Sequence, residues 1–147
     1  MARKPENRFI KAVHDDLKVD YPFIYPEKTN NPFRGGIPDV YYDSPARDGW
    51  VEYKWFDKIP PVIRLSEGND PPLSALQQHW INRAYDNGRN IAVIVGCRIN
   101  NRYHGVIFGD HTGLHWDVPI EREVFTQRAI PKAGVVFEVA RMLGMED

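Results

Sequence analysis

The sequence predicts an α/β fold in which helices flank a mixed central β-sheet. Three observations support this prediction: an amphipathic segment near the N-terminus, a continuous apolar run at residues 91–96, and the order of the predicted elements, α–β–β–α–β–β–α. The length of 147 residues and the apolar fraction of 42% are typical of a globular chain that buries its own core. We therefore expect residues 1–147 to form one domain.

The first predicted helix begins at Pro5, because proline and the acidic Glu6 both suit the first turn of a helix. Four apolar residues recur at helical spacing and should form its buried face: Phe9, Ile10, Val13 and Leu17. The segment that follows is rich in Pro, Asn and Gly, which predicts a loop with at most one short strand, at residues 23–25.

Residues 37–43 and 49–56 predict a β-hairpin whose turn has the sequence SPARDG. Side chains alternate between the two faces of a strand, so Trp50, Glu52 and Lys54 are expected on one face of the sheet. Val51, Tyr53 and Trp55 are then expected on the other.

Ser74 predicts the N-cap of a second helix, which Gly88 should close. Four of its residues should face the core: Leu76, Trp80, Ile81 and Ala84. The segment RNIAVIVGCRI predicts a strand buried on both faces of the sheet. YHGVIFGD predicts a further strand, and the tail at residues 123–144 predicts one last helix.

Net charge is −1, so the chain lacks the overall basic excess that is typical of nucleic-acid-binding proteins. Local basic patches can nevertheless coexist with an acidic metal site. The single cysteine, Cys97, excludes an internal disulfide and is expected to be a small buried residue in a reducing compartment. Without a long apolar run or an apolar signal region, the expected location is the cytoplasm of a bacterial or phage-infected cell, away from membranes.

Asp39 and Glu52 lie on neighbouring predicted strands, so their carboxylates can converge at one end of the hairpin. Mg²⁺ prefers oxygen ligands and keeps several waters, so two carboxylates and a substrate phosphate are a sufficient site, to which the main-chain carbonyl of Tyr53 can add an oxygen. Lys54 projects from the same face as Glu52, and its ammonium can bind a phosphate or help to orient or deprotonate a water. Such groups suit metal-assisted hydrolysis of a phosphodiester.

The spacing of these residues is weak support by itself, because P-D followed by E-x-K occurs by chance in many chains. The alternative is an exposed hairpin whose Glu and Lys form an ordinary surface contact. Two neighbouring features favour a site. Gly35 and Gly36 allow a ligand to approach the backbone closely, and Glu52 stands between apolar residues, where an unpaired carboxylate is costly.

Three ordered segments resemble the PD-(D/E)XK nuclease superfamily, and within it the virus-type replication-repair nuclease (VRR-NUC) group and small phage endonucleases. They are GGIPDVYY, WVEYKW and PPLSALQQHWINRAYDNGRNIAVIVG, which contain G-x-P-D, E-x-K and L-S-x-x-Q in the order of that group. The resemblance implies a restriction-endonuclease-like core with the element order αβββαβ, in which residues 23–25 supply the additional early strand. The resemblance covers residues 5–96, so residues 97–147 are expected to be a divergent C-terminal extension of the same domain.

The resemblance also implies roles for single residues. Asp39 and Glu52 would bind Mg²⁺, for which Mn²⁺ can substitute, and Lys54 would be the catalytic lysine. Gln77 matches a helix glutamine near the metal, and Glu6 matches a first-helix acid that often completes the site. Taken outside the resemblance, Glu6 equally suits the helix dipole and Gln77 equally suits an exposed helix position.

The function that the resemblance implies is that of a Mg²⁺-dependent DNA endonuclease, and the small size favours structure-selective cleavage of branched DNA. The alternatives are a sequence-specific homing or restriction-type endonuclease and a DNA-binding module that has lost its chemistry. Cleavage of two strands predicts a homodimer or a higher symmetric oligomer. Four basic residues near the motifs are candidate phosphate contacts, although a solvated surface explains any single one of them better: Lys28, Arg34, Lys58 and Arg64.

A zinc site is the remaining alternative, because His111 and His115 lie four residues apart with Asp110 and Asp117 nearby. Gly113 and the strand-like flanking residues argue against a helix that presents both histidines on one face. We therefore expect a loop or a strand end there.

Overall fold

The computed structural model describes residues 4–29 and 35–145. The N-terminal part of the chain forms α1 (Pro5–Asp20), β1 (Tyr25–Lys28), β2 (Val40–Asp43), β3 (Gly49–Trp55), β4 (Val62–Ile63) and α2 (Ala75–Asp86). The C-terminal part forms β5 (Ile91–Ile99), β6 (Arg102–Phe108), a 3₁₀ turn (Asp110–Thr112), β7 (Ile120–Glu121), α3 (Arg122–Arg128), β8 (Ile130–Pro131) and α4 (Lys132–Met142).

Six strands form the central sheet, in the order β1-β2-β3-β5-β6-β8. β3 and β5 pair in parallel, with α2 in the connection between them, whereas the other neighbouring strands of this sheet pair antiparallel. β4 and β7 form a separate two-stranded sheet. The predicted mixed sheet and the hairpin of β2 and β3 are therefore confirmed.

Each face of the sheet is covered by its own apolar cluster. Residues of α1 and α4 pack with Val51 and Tyr53 on one face, and residues of α2 and α3 pack on the other. β5 contributes Ile94 to the first cluster and Val93 and Val95 to the second, which confirms a strand buried on both faces. Full burial of one such aliphatic side chain contributes about 1.5–3 kcal/mol, so both clusters hold this strand in place.

The two predicted helices of the N-terminal half are confirmed. The buried face of α1 consists of the four predicted residues: Phe9, Ile10, Val13 and Leu17. α2 begins after Ser74 with a capping box, in which the Ser74 hydroxyl accepts from the Gln77 N–H and the Gln77 side chain accepts from the Ser74 N–H. Gly88 follows the C-cap with φ +78°, the left-handed conformation that glycine adopts without strain.

Two predictions about local positions were wrong. Leu76, expected in the core, is 61% exposed, because it lies about 140° around the helix from the buried Ile81 at 100° per residue. The strand expected at residues 23–25 instead spans Tyr25–Lys28. Its position is determined by antiparallel pairing with β2, and its Pro26 is tolerated because β1 is the edge strand of the sheet.

The tail contains two helices where the sequence predicted one. Pro131 has no N–H and stands at the N-cap of α4, so β8 separates α3 from α4. β6 and β8 extend the central sheet, and α4 packs against α1. That residues 97–147 belong to one domain with the rest stays a prediction. Within residues 4–29 and 35–145, no helix has the length and apolar character that crossing a bilayer requires.

Candidate active site

The hairpin of β2 and β3 opens at the end where Asp39 lies. The backbone ladder between these strands ends at the pair Val40 and Val51, and continuing its register would place Pro38 opposite Tyr53. The Pro38 carbonyl instead accepts from the Thr29 hydroxyl. The Tyr53 N–H therefore donates to Asp39 Oδ2 at 2.9 Å, so a carboxylate takes the place of the next ladder bond.

Glu52 lies on β3 beside this opening and is 1% exposed. Its Oε2 accepts from the Lys54 ammonium at 3.1 Å and from Gln77 Nε2 at 3.2 Å. Its Oε1 is buried and has no hydrogen-bond partner among the described residues. Two donors thus hold one oxygen of this carboxylate, whereas the other oxygen accepts no hydrogen bond from the described residues.

Gln77 connects α2 to β3. Its Oε1 accepts from Lys54 Nζ at 3.0 Å and from the Ser74 N–H at 2.9 Å, while its Nε2 donates to Glu52. The same side chain therefore caps α2 and holds Lys54 and Glu52 together. Ser74 was predicted only as a cap, and its sequence signal, the capping box, also predicts where the Gln77 amide lies.

Electrostatics link the acidic groups. Burial, together with the nearby negative charge of Asp39, raises the pKa of Glu52 to about 8, and Lys54 opposes this shift. Burial also raises the pKa of Glu6; the charge of Asp39 adds to that shift, and Lys54 and Lys28 oppose it. Glu6, at the start of α1, therefore lies within electrostatic range of the same group of side chains.

A divalent cation fits this donor set. The charge of Asp39 disfavours ionisation of Glu52, and within the described residues one buried oxygen of Glu52 has no donor; a cation would relieve both. No group of three His, Cys, Asp or Glu side chains is arranged to hold a metal within the described residues. The site would therefore use Asp39, Glu52 and oxygens from the backbone, water or substrate, which is sufficient for Mg²⁺.

The backbone of β3 can supply one of these oxygens. The Trp50 N–H donates to the Asn90 carbonyl, so even-numbered residues of β3 turn their backbone groups towards β5. The N–H and C=O of Tyr53 therefore face the β2 side, where the ladder has ended and Asp39 lies. This direction is the one that the predicted role of the Tyr53 carbonyl requires.

The candidate phosphate contacts are less closely grouped. Lys28 donates to Asn7 Oδ1 at 3.4 Å, and its charge acts on Glu6. Arg64 forms an exposed ion pair with Glu67 at 3.6 Å, and Lys58 is exposed in the loop after β3. Within the described residues, neither Arg64 nor Lys58 forms a hydrogen bond or an ion pair with Asp39 or Glu52. Arg34 lies outside the described residues.

The histidine pair predicted as an alternative does not converge. His111 Nε2 lies 3.7 Å from Glu138 Oε2, at the 3₁₀ turn, whereas His115 Nδ1 accepts from the Asp117 N–H. Cys97 is fully buried in β5, and burial raises the pKa of its thiol to about 11. The prediction that Cys97 is a small buried residue is confirmed.

No protein-family model matches the sequence, and no curated protein matches it. Among solved structures, the fold is similar to that of Archaeoglobus fulgidus Hjc, a Holliday junction resolvase from an archaeal hyperthermophile. The TM-score is 0.54 at 14% sequence identity, and the similarity covers 90% of this chain and 96% of the other. The chain therefore has a restriction-endonuclease-like fold: a mixed central sheet flanked by helices.

Proposed function

We propose that this protein is a divalent-metal-dependent endodeoxyribonuclease of the PD-(D/E)XK type, nearest in its motifs to the VRR-NUC group and to phage endonucleases. The observation that carries the proposal is the arrangement around Glu52, which lies close to the charge of Asp39. Its Oε2 accepts from Lys54 and Gln77, while its buried Oε1 accepts from no group in the part of the chain that the structure describes. An exposed hairpin with an ordinary surface ion pair would bury neither oxygen.

Each residue has a role in this proposal. Asp39, Glu52 Oε1 and the Tyr53 carbonyl would hold Mg²⁺, with Mn²⁺ as a substitute, and Glu6 would act on the ion through one of its bound waters. Lys54 would present its ammonium to the scissile phosphate and to the water that attacks it, since Gln77 and Glu52 fix the position of its Nζ. The bound ion would polarise the phosphoryl oxygen and lower the pKa of a bound water.

The proposed substrate is branched DNA. The support is the fold shared with a Holliday junction resolvase over nearly the whole length of both chains. Lys28, Lys58, Arg64 and Arg34 are proposed phosphate contacts, of which Lys28 is the best supported because it lies close enough to act on Glu6. Cutting two strands of a junction requires two such sites, so we propose a homodimer or higher symmetric oligomer.

The test is cleavage of junction, nicked and linear DNA of one sequence, with Mg²⁺, with Mn²⁺ and with EDTA. We expect metal-dependent cleavage with a preference for the junction, and a loss of roughly 100-fold or more in Asp39→Asn and Lys54→Ala. Asp48→Asn and Lys18→Ala are matched controls, because both residues are exposed and away from the site. Activity of the first two variants at the level of the controls would exclude the mechanism.

Two further measurements, cleavage of a plasmid library and calorimetric titration with Mn²⁺, separate the alternatives. A homing or restriction-type enzyme would cut a plasmid library at one defined sequence regardless of branching. A binding module without chemistry would leave every substrate intact and show no Mn²⁺ binding in a calorimetric titration.

A further inference from the structure

A buried chain of hydrogen bonds lies on the face of the sheet that α1 covers. His14 Nε2 lies 2.7 Å from the Tyr42 hydroxyl, and the Tyr42 hydroxyl lies 2.6 Å from the Tyr53 hydroxyl. Both tyrosines are fully buried, and His14 is half-buried with its ring edge-on to that of Tyr42. Three polar groups in an apolar cluster are thus satisfied almost entirely by one another.

The donor and acceptor roles in this series of hydrogen bonds follow from the buried Tyr53 hydroxyl at its end. Within the described residues, Tyr42 is the one partner of the Tyr53 hydroxyl. Tyr53 therefore donates to Tyr42, and Tyr42 donates to His14 Nε2, because the opposite direction would leave the Tyr53 proton without an acceptor in the core. Burial and the charge of Lys28 lower the pKa of His14 to about 4, against the opposing charge of Asp15, so the imidazole is a neutral acceptor at neutral pH.

Tyr53 is held at two points, and both bear on the candidate site. Its N–H donates to Asp39 Oδ2, and its hydroxyl donates to Tyr42 on the neighbouring strand. It lies between Glu52 and Lys54 in the sequence. The bond to Asp39 joins the strands beyond the end of their backbone ladder, and the hydroxyl bond ties Tyr53 back to Tyr42, which pairs with Gly49 inside that ladder.

His14 extends the same connection to α1. It lies two helical turns after Glu6, and Tyr42 lies three residues after Asp39. One continuous series of hydrogen bonds therefore connects α1, which carries Glu6, β2, which begins directly after Asp39, and β3, which carries Glu52. Elements that are joined in this way cannot shift relative to one another without breaking a buried hydrogen bond.

We infer that Tyr53 and Tyr42 are positioning residues, whose hydroxyl chain to His14 holds Asp39 and Glu52 at the separation that binds the divalent cation. The inference rests on the proposed function and deepens it. Neither hydroxyl touches the ion or the DNA; both act through the carboxylates.

Tyr53→Phe is the sharpest test, because it removes one hydroxyl and leaves Tyr42 still able to donate to His14. We expect the Kd of the intact protein for Mn²⁺, measured by calorimetry, to rise roughly 10- to 100-fold, as for other groups that orient metal ligands. The Mn²⁺ concentration for half-maximal cleavage should rise in parallel, while the rate at saturating Mn²⁺ changes far less. His14→Ala should act in the same direction from the α1 side without changing the sheet.

Tyr41→Phe is the matched control, since Tyr41 lies on the same strand and its hydroxyl bonds to the exposed Asp48. Thermal unfolding of every variant separates positioning from stability. A Tyr53→Phe protein that is folded at the titration temperature and binds Mn²⁺ like wild type overturns the inference and leaves the proposed function intact. A wild-type protein that binds no Mn²⁺ overturns both.

Discussion

At the residue scale, the two oxygens of the Glu52 carboxylate differ in their hydrogen bonding. Lys54 and Gln77 both donate to its Oε2, while its buried Oε1 has no donor among residues 4–29 and 35–145. An unsatisfied buried acceptor costs about 1–3 kcal/mol, and more when it is charged. The site is therefore under electrostatic strain, which protonation or a bound cation would relieve.

The pH dependence of stability follows from this strain. The pKa of Glu52 is raised in the folded state to about 8, so its contribution to stability is fully present below the pKa of the unfolded chain and is lost as pH rises through about 8. Glu52→Gln should remove this loss. In EDTA, we expect wild type to lose roughly 3 kcal/mol more than Glu52→Gln in free energy of unfolding between pH 5 and pH 8, measured with urea.

Glu27→Gln is the matched control, because Glu27 is exposed on the edge strand. Mn²⁺ should restore the stability of wild type at pH 8 and leave Glu52→Gln unchanged. If the free energy of unfolding depends on pH identically in wild type and Glu52→Gln, the inference that the Glu52 carboxylate is under electrostatic strain is wrong.

At the element scale, the first turn of α2 is positioned by the loop that leads to Asp39. A Cβ on Gly36 would lie 2.4 Å from the Leu76 carbonyl oxygen, and Gly36 has φ +91°. The glycines of the G-G-x-P-D segment therefore allow the loop to pack directly on the helix N-terminus. Gln77, which holds Lys54, follows Leu76 in that same turn.

Gly36→Ala should accordingly affect both stability and the site. We expect a loss of about 3 kcal/mol in free energy of unfolding, from the positive φ and from the clash with the helix backbone, together with weaker cleavage. Gly68→Ala is the matched control, since Gly68 has φ +104° and no atom within 4 Å of its added Cβ. It should lose only about 1 kcal/mol. Equal losses in urea denaturation for the two variants would show that the contact with α2 has no energetic role.

At the scale of the whole molecule, one chain carries one set of Asp39, Glu52 and Lys54, whereas a junction needs two cuts. Net charge is −1, so the overall charge supplies little attraction for DNA, and binding would depend on local basic groups. A symmetric dimer would double both the catalytic groups and the phosphate contacts.

We expect sedimentation of the active protein with Mg²⁺ to show a dimer or a higher symmetric oligomer. Mixing wild type with Lys54→Ala should then produce junctions nicked in one strand, because each mixed dimer would keep one active site. A monomer that cuts both strands in a single binding event, with no increase of nicked product on mixing, would contradict this expectation.

The parts of the fold that the sequence predicted correctly have local causes. The buried stripe of α1, the Ser74 cap and the alternation along β3 each depend on residues within one or two turns or on adjacent strand positions. The positions of β1 and Leu76 were missed because pairing with β2 and contact with the rest of the core determine them. The break between α3 and α4 also has a local cause, because Pro131 has no N–H and cannot continue a helix.

For the site, the sequence by itself determined which side chains are available and that E-x-K places Glu52 and Lys54 on one face of a strand. Only the tertiary structure decided that Gln77 bonds to both of them and that Asp39 replaces a ladder bond of Tyr53. It also decided that one oxygen of Glu52 is buried with no donor among the residues that the structure describes. The physical reason is that periodicity is a property of neighbouring residues. Burial and hydrogen-bond partners depend instead on segments that are distant in sequence and meet only in the folded chain.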